Sequence, residues 1–184
     1  KTNGEFLYKV NDRFIKLSSD ENFIEQRIKR ADNLGKLTPT LNYKGKNLYS
    51  YDWVDGEVFY DHNDIKTWKR FLDYANKNLW KEVSVDFDFS TACKKFYHDK
   101  TMSRVKLFLE SRDDDFKGNH IVNGVLTASI KVLLDIFYWD KVFNGIPTNS
   151  FHGDFHFDHI VYAGNENFYL LDWRQNFGGG DVGD

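Results

Sequence analysis

Short runs of apolar and β-favouring residues fill the first third of the chain and predict strands. Asn11-Asp12 separates the first two runs and Lys44-Gly45-Lys46 separates the next two, and both segments have the composition of turns. The pattern therefore predicts two β-hairpins. Their strands are expected at residues 6–10, 13–17, 40–43 and 48–53.

Apolar residues spaced by three and four positions predict the helices. Between the hairpins this spacing covers residues 23–34, with a cap at residues 18–20 and an end at Gly35. From Asp61 onward the spacing returns, with Asp61 itself or Asn63 as the cap. Further helices are expected over residues 90–98, 102–110 and 122–137.

Strand character returns only near the end of the chain. It covers residues 159–162 and 168–171, which are joined by a turn at residues 164–167, while the charged residues 112–115 fit a solvated loop. The pattern predicts an α+β fold with a small β-rich lobe followed by a mainly helical lobe. We expect the lobes to span residues 1–54 and 55–184, with the boundary near Val54-Asp55-Gly56.

Composition narrows the class of protein. The 184 residues are 41% apolar, so the chain can bury a core, and a net charge of -3 argues against a sequence-independent nucleic-acid binder. A single cysteine and the lack of any apolar stretch approaching about 20 residues favour a soluble, cytoplasmic protein without membrane contact. Because the sequence starts at Lys1 and stops at GGGDVGD, we expect it to be cut at both ends, including its C-terminus.

Chemistry-bearing residues concentrate in HGDFHFDH, residues 152–159, and in LLDW, residues 170–173. The predicted hairpin between them brings its outer ends together, so Asp172 should lie near Asp154 and an imidazole. Phosphoryl transfer from ATP needs a carboxylate that orients the attacking hydroxyl and acceptors that hold Mg²⁺ against the phosphates. The spacing agrees with that use.

HGDFHFDHI resembles the catalytic loop of the aminoglycoside phosphotransferase and choline kinase superfamily, whose pattern is His-Gly-Asp-x-His-x-x-Asn-Ile, and LLDW resembles its metal-binding strand end. The resemblance implies a bilobal protein-kinase-like fold and transfer of the ATP γ-phosphate to a hydroxyl. It implies that Asp154 is the catalytic base and that His159 and Asp172 are metal ligands. The five-residue separation of Asp154 and His159 equals that of Asp and Asn in HRDxxxxN.

Upstream segments match the same superfamily. The resemblance implies that Lys16 pairs with the nucleotide phosphates and that Glu25, or alternatively Glu21, holds it from the following helix. Thr2-Asn3 followed by LYKV is similar to the nucleotide loop of the choline kinase branch, although most of a glycine-rich loop is missing. The backbone of the hinge should bind adenine, and it comprises Tyr51, Asp52, Trp53 and Val54.

The cofactors implied are ATP and Mg²⁺, with Mn²⁺ as an alternative metal. His159 departs from the superfamily, because imidazole nitrogen replaces amide oxygen at that ligand position and Mn²⁺ accepts nitrogen more readily than Mg²⁺. The acceptor implied is a small molecule with a hydroxyl: choline, ethanolamine, an aminoglycoside, a sugar or an amino-acid-derived alcohol. The LYKV match and the aromatic content favour choline or a related alcohol, or a surface-polysaccharide sugar.

Two other functions compete with the kinase. Asp154-x-His156-x-Asp158-His159 resembles the metallo-β-lactamase string His-x-His-x-Asp-His, but a hydrolase of that kind needs further histidines downstream and none follows His159. A non-catalytic module with a kinase shape is the second alternative, and the reduced nucleotide loop and His159 favour it. Nucleotide binding without turnover distinguishes that module from an enzyme.

Overall fold

Two hairpins form the first sheet of the protein. The structure, a computed structural model, describes residues 4–62, 64–111, 118–165 and 167–184. The sheet is antiparallel with strand order β1-β2-β4-β3, so both predicted hairpins are confirmed. Its strands are β1 (Glu5–Val10), β2 (Arg13–Ser18), β3 (Leu41–Lys44) and β4 (Leu48–Asp52).

Helix α1 (Glu21–Leu34) connects the two hairpins. The carboxylate of Asp20 caps it by accepting the backbone N–H of Phe23 at 3.1 Å, and the helix ends at Gly35, whose φ of 55° suits glycine. The predicted helix, its cap region and its end are confirmed. Its buried face carries Ile24, Ala31 and Leu34, and also the guanidinium groups of Arg27 and Arg30.

Strand β5 (Glu57–Val58) and helix α2 (Ile65–Asn78) follow β4. Helix α2 is confirmed, but its cap is Asp64, whose carboxylate accepts the N–H groups of Lys66 and Thr67. Asp61 instead belongs to a 3₁₀ turn over Phe59–Asp61. Asn63, the other predicted cap, lies outside the described residues.

The chain forms two compact units. One comprises the residues up to Ser84 together with Ile146–Asp184, and the other comprises Val85–Gly145. The second unit begins with helix α3 (Phe89–Cys93), which continues through a π-helical segment (Lys94–Asp99) into helix α4 (Lys100–Glu110). The two separate helices expected over residues 90–98 and 102–110 are therefore one continuous helical run.

A hairpin replaces the first half of the helix expected over residues 122–137. Strands β6 (His120–Val122) and β7 (Val125–Thr127) pair around Asn123-Gly124, and helix α5 covers only Ile130–Ile136. Asn123 and Gly124 have φ values of 51° and 79°, which a two-residue hairpin turn requires and a helix forbids. Helix α6 (Trp139–Phe143) completes this unit. Residues 112–115, predicted as a loop, lie outside the described residues.

Strands β8 (Ile160–Tyr162) and β9 (Phe168–Leu170) form the predicted C-terminal hairpin. Glu166 in its turn lies outside the described residues. Strand β5 pairs with β8 through Glu57 and Val58, which sequence analysis did not predict, and gives a three-stranded sheet β5-β8-β9.

The fold is mixed α+β, with small sheets and several helices. In the first unit the core joins α1, α2 and both of its sheets, and the fully buried indole of Trp173 stacks on Tyr49 with ring centroids 5.8 Å apart. The lobe boundary expected near residues 54–56 stays a prediction. Within the described ranges, no helix has both the length and the apolar composition that crossing a membrane requires.

Candidate active site

The loop over residues 151–159 is bonded to the segment that follows β9. The backbone N–H of Leu171 donates to the carbonyl of His159 at 2.7 Å, and the N–H of Arg174 donates to the carbonyl of His152 at 2.8 Å. Close approach explains the glycine after His152, because a Cβ at Gly153 lies 2.7 Å from Cβ of Arg174 and its φ is 79°. The two sequence motifs, predicted to meet, therefore lie side by side.

His152 organises this junction as a neutral imidazole. Its Nε2 donates to the carbonyl of Leu171 at 2.8 Å, and its Nδ1 accepts the N–H of Asp154 at 3.4 Å. Burial lowers the pKa of His152 to about 4, although the hydrogen bond to Leu171 acts in the opposite direction. His152 is 2% exposed, so it orients the loop and is not accessible to a substrate.

Asp172 lies where the side chains of Lys16, Arg27 and His159 converge. Its Oδ1 accepts a hydrogen bond from Nζ of Lys16 at 2.7 Å and lies 3.4 Å from a terminal nitrogen of Arg27. Its Oδ2 lies 3.8 Å from Nε2 of His159. Asp172 also has a φ of 53°, an uncommon value that aspartate tolerates better than most residues.

This environment keeps Asp172 ionised. Burial alone raises the pKa of its carboxyl, but the hydrogen bond and charge of Lys16, with Arg27 and His159, outweigh burial and lower the pKa to about 2. A carboxylate that stays charged at neutral pH is suited to hold a cation. The side chain is 42% exposed and can therefore be reached from solvent.

Asp154, the predicted base, lies in the same loop, and its backbone N–H is the group that donates to His152. Its Oδ2 accepts a hydrogen bond from the guanidinium of Arg174. The other carboxylate oxygen accepts no hydrogen bond from the residues that the structure describes. Sequence analysis did not identify Arg174, and only its position next to the LLDW motif could have indicated it.

Arg27 is the second residue that sequence analysis missed. The prediction that Glu25 holds Lys16 also needs correction. Glu25 and Glu21 are exposed on α1, and the described carboxylates within ion-pair distance of Lys16 Nζ belong to Asp172 and Glu5. Glu25 therefore does not hold Lys16 in this structure. Arg27 lies on the apolar face predicted for α1, between Ile24 and Ala31, and a charge at such a position was the available signal.

The predicted hinge comprises the end of β4 and the two residues that follow it. Tyr51 is buried in the sheet, and the exposed carboxylate of Asp52 pairs with Asn42 and Arg13. The N–H of Trp53 donates to the carbonyl of Asp12, so that group is not available to adenine. Val54 has no backbone hydrogen bond to the described part of the chain. Thr2 and Asn3 of the predicted nucleotide loop lie outside the described residues.

Two sets of side chains in this region carry atoms of the kinds that bind divalent cations. The first is the predicted pair, Asp172 and His159, whose facing atoms are 3.8 Å apart. The second comprises Asp154, His156 and His159, each of which offers one ligand atom, and these three atoms lie within 4.8 Å of one another. His159 belongs to both sets.

Comparisons of the chain with protein-family models, with curated proteins and with solved structures found no match.

Proposed function

We propose that this chain is an ATP-dependent phosphotransferase that moves the γ-phosphate of ATP to a hydroxyl of a small molecule. The observation that carries the proposal is the convergence of three side chains: Lys16 from β2, Asp172 from the end of β9 and Asp154 from the preceding loop. Lys16 bonds directly to Asp172, and His152 bonds the loop at Asp154 to the carbonyl of Leu171, next to Asp172. A bilobal kinase-like arrangement belongs to the same proposal, with residues 1–54 as the nucleotide lobe and residues 55–184 as the catalytic lobe.

Lys16 and Asp172 supply opposite charges to the triphosphate end of the nucleotide. The ammonium of Lys16 pairs with phosphate oxygens, and the carboxylate of Asp172 holds the metal ion together with His159. The donor set fits a divalent cation, because Asp172 stays ionised and Nε2 of His159 faces it at 3.8 Å. When bound, the metal neutralises negative charge on the phosphates.

Asp154 accepts the proton of the acceptor hydroxyl and orients its oxygen towards the phosphate. Arg174 holds one oxygen of this carboxylate, and the loop backbone is fixed through His152, so the remaining oxygen has a defined position. Positioning and electrostatic stabilisation are the main contributions that a protein makes to phosphoryl transfer. The Val54 backbone is the hinge group available to the adenine edge.

The proposal is tested by two measurements on the same protein. Thermal unfolding is followed with ATP and Mg²⁺, with ATP and a chelator, and with AMP, and ATP consumption is followed over choline, ethanolamine, an aminoglycoside and sugars. Binding at 100 times the dissociation constant stabilises by about 2.7 kcal/mol and should raise the Tm measurably. We expect stabilisation by Mg²⁺-ATP and consumption with at least one acceptor.

Each negative result has its own meaning. Stabilisation by Mg²⁺-ATP without consumption across the panel contradicts catalysis and supports a nucleotide-binding module. No stabilisation by any nucleotide contradicts the nucleotide site itself. Stabilisation and turnover that require zinc without nucleotide support the hydrolase instead.

A further inference from the structure

The catalytic loop presents two imidazoles and one carboxylate to a common point. Asp154, His156 and His159 each place one ligand atom within 4.8 Å of the others. His156 is exposed and the other two are partly exposed, so an ion can reach all three from solvent. The proposed phosphotransferase gives no role to His156, and this arrangement therefore needs another explanation.

His159 already has the orientation and tautomer of a metal ligand. Its Nδ1 lies 2.9 Å from the carbonyl oxygen of Asp154, and because a carbonyl only accepts, Nδ1 carries the proton. In the neutral ring Nε2 is then unprotonated, and its lone pair can bind a metal ion. Metal-bound histidines commonly donate their other ring N–H to a backbone carbonyl in this way, which fixes the ring and raises its basicity.

The other two donors are His156 and Asp154. A carboxylate oxygen of Asp158 faces Nδ1 of His156 at 3.7 Å, and a carboxylate beside the ring is a common partner of metal-bound imidazole. The ring centroids of His156 and His159 are 3.7 Å apart. Arg174 binds only Oδ2 of Asp154, and Oδ1 receives no hydrogen bond within the described ranges.

The donor chemistry identifies the class of metal. Two nitrogens and one carboxylate oxygen suit Zn²⁺, which binds histidine and carboxylate at about 2.0–2.2 Å, whereas Mg²⁺ prefers oxygen ligands. Such bond lengths in a tetrahedron bring ligand atoms to about 3.4 Å from one another. The three ligand atoms lie within 4.8 Å of one another in the structure, and rotation of the exposed His156 side chain shortens its separations from the other two.

We propose that Asp154, His156 and His159 form a Zn²⁺ site distinct from the Asp172 metal position. Zinc at this site engages the proton-accepting carboxylate and removes His159 from Asp172. It therefore inhibits phosphoryl transfer, a consequence that rests on the proposed function. The zinc site itself rests on the geometry of the three side chains.

Binding is tested without any activity measurement. The full chain competes with a chromophoric chelator for Zn²⁺, and Co²⁺ is added separately to record the visible absorption of a nitrogen-liganded ion. We expect one equivalent of Zn²⁺, and His156→Asn should weaken binding by at least about tenfold, since even outer partners of ligands are worth that much. His98→Asn is the matched control, because it removes a histidine outside the cluster, and it should bind as the parent does.

A measurement of stability and a second variant show whether weaker zinc binding comes from the lost ligand or from unfolding. The side chain of His156 is 48% exposed, so its replacement should leave the Tm unchanged. Asp154→Asn replaces the carboxylate by a weaker amide donor and should also weaken zinc binding. Equal zinc affinity in the parent, His156→Asn and Asp154→Asn, or no zinc binding by the parent, overturns the site.

Inhibition is measured as the rate with Zn²⁺ divided by the zinc-free Mg²⁺-ATP rate of the same variant. This ratio should fall for the parent and for His98→Asn, and fall less for His156→Asn. Equal inhibition of all three overturns the regulatory role. A chain that binds zinc through His156 but phosphorylates no acceptor contradicts the proposed function and supports the zinc site, whereas a chain that phosphorylates an acceptor but binds no zinc contradicts the zinc site alone.

Discussion

The ammonium nitrogen of Lys16 lies 2.7 Å from a carboxylate oxygen of Asp172, across 156 positions of the chain. The Lys16 side chain is only 11% exposed, and its charge is compensated by this carboxylate and by that of Glu5 at 3.5 Å. Removing one member of a largely buried pair leaves an uncompensated charge, which is the costly case. The contact therefore affects both stability and any ligand that binds here.

Lys16→Met should raise the KM for ATP or lower turnover by about tenfold or more, since the ammonium is expected to pair with phosphates. It should also destabilise the protein by less than the about 3–5 kcal/mol typical of broken buried pairs. The loss of stability should be smaller because Asp172 is 42% exposed and still has Arg27 as a partner at 3.4 Å. Steady-state kinetics and denaturant unfolding measure both effects.

Lys44→Met is the control for this variant. Lys44 also pairs with an aspartate, Asp32, but at the surface, and such pairs contribute about 0–1 kcal/mol. Its kinetics with ATP should equal those of the parent. Unchanged kinetics in both variants would show that Lys16 has no role in nucleotide binding.

Asp154→Asn should reduce phosphoryl transfer at saturating ATP by at least about 10², because the amide cannot accept the proton. Folding and ATP binding should be nearly unchanged, since the described side-chain contact of this carboxylate is with Arg174 alone. Asp158→Asn, an exposed carboxyl on the same loop, is the control and should keep its turnover. A loss smaller than about tenfold in Asp154→Asn rules out its role as the base.

His159→Asn should shift the metal preference from Mn²⁺ towards Mg²⁺, because an amide oxygen replaces the nitrogen that faces Asp172 at 3.8 Å. The parent should turn over faster with Mn²⁺ than with Mg²⁺. Rates per bound ATP with both metals, measured for the parent and the variant, give the two ratios. If these ratios agree, His159 is not a ligand of the nucleotide's metal.

His152 should make stability depend on pH. The pKa of His152 is about 4 in the folded protein, below the ordinary value of 6.5, so the unfolded chain binds more protons between these values. Its contribution to stability is therefore complete above about pH 6.5 and is lost as pH falls towards 4, with a slope of up to about 1.4 kcal/mol per pH unit.

Replacement by a side chain that does not titrate tests this dependence. His152→Gln should unfold more easily at pH 7, yet its free energy of unfolding should change less than that of the parent between pH 6.5 and pH 4. His98→Gln, which removes a partly exposed imidazole, serves as the comparison. Denaturant titrations give the free energy of unfolding at each pH. If it changes equally with pH in His152→Gln and in the parent, His152 is not the source of the pH dependence.

Local signals predicted most of the elements in the first unit. Turn residues separated the strands at Asn11-Asp12 and Gly45, and apolar spacing located α1 and α2, because in these segments local preference and burial agree. The motifs at residues 152–159 and 170–173 also located the loop and strand end that meet. Strand β5 was missed because two residues carry no periodicity and its pairing with β8 is non-local.

The candidate site was only partly predictable for the same physical reason. The contacts of Lys16 with Asp172 and of Arg174 with Asp154 depend on how distant segments pack, and no local pattern encodes them. Glu25 was assigned because the resemblance places the partner of the lysine on the following helix, although Glu25 is exposed and Arg27 lies on the buried side of α1. A charge among apolar positions was therefore more informative than a charge on the polar face.

The missed hairpin at Asn123-Gly124 leads to a stability prediction. Gly124 has a φ of 79° and no heavy atom lies within 4 Å of a Cβ added there, so Gly124→Ala meets no clash. It should still destabilise the protein by about 1–2 kcal/mol, the cost of a left-handed conformation for a residue with a Cβ. Thermal unfolding measures the change.

Gly118→Ala provides the matched control, because Gly118 is equally open but does not have a left-handed φ. Alanine there should be neutral or stabilising, since it reduces the entropy of the unfolded chain. The same Tm for both alanine variants would contradict the turn at Asn123-Gly124.

The two buried arginines of α1 connect that helix to distant segments of the chain. Arg27 contacts Asp172, while Arg30, one turn later, donates to the carbonyls of Asn149 and Asp181, and the indole of Trp173 bonds to the Arg27 carbonyl. The strand end that carries Asp172 and the glycine-rich segment over residues 178–183 are thus both attached to α1. Both segments therefore depend on the position of α1, and a substitution that displaces this helix is expected to disturb both.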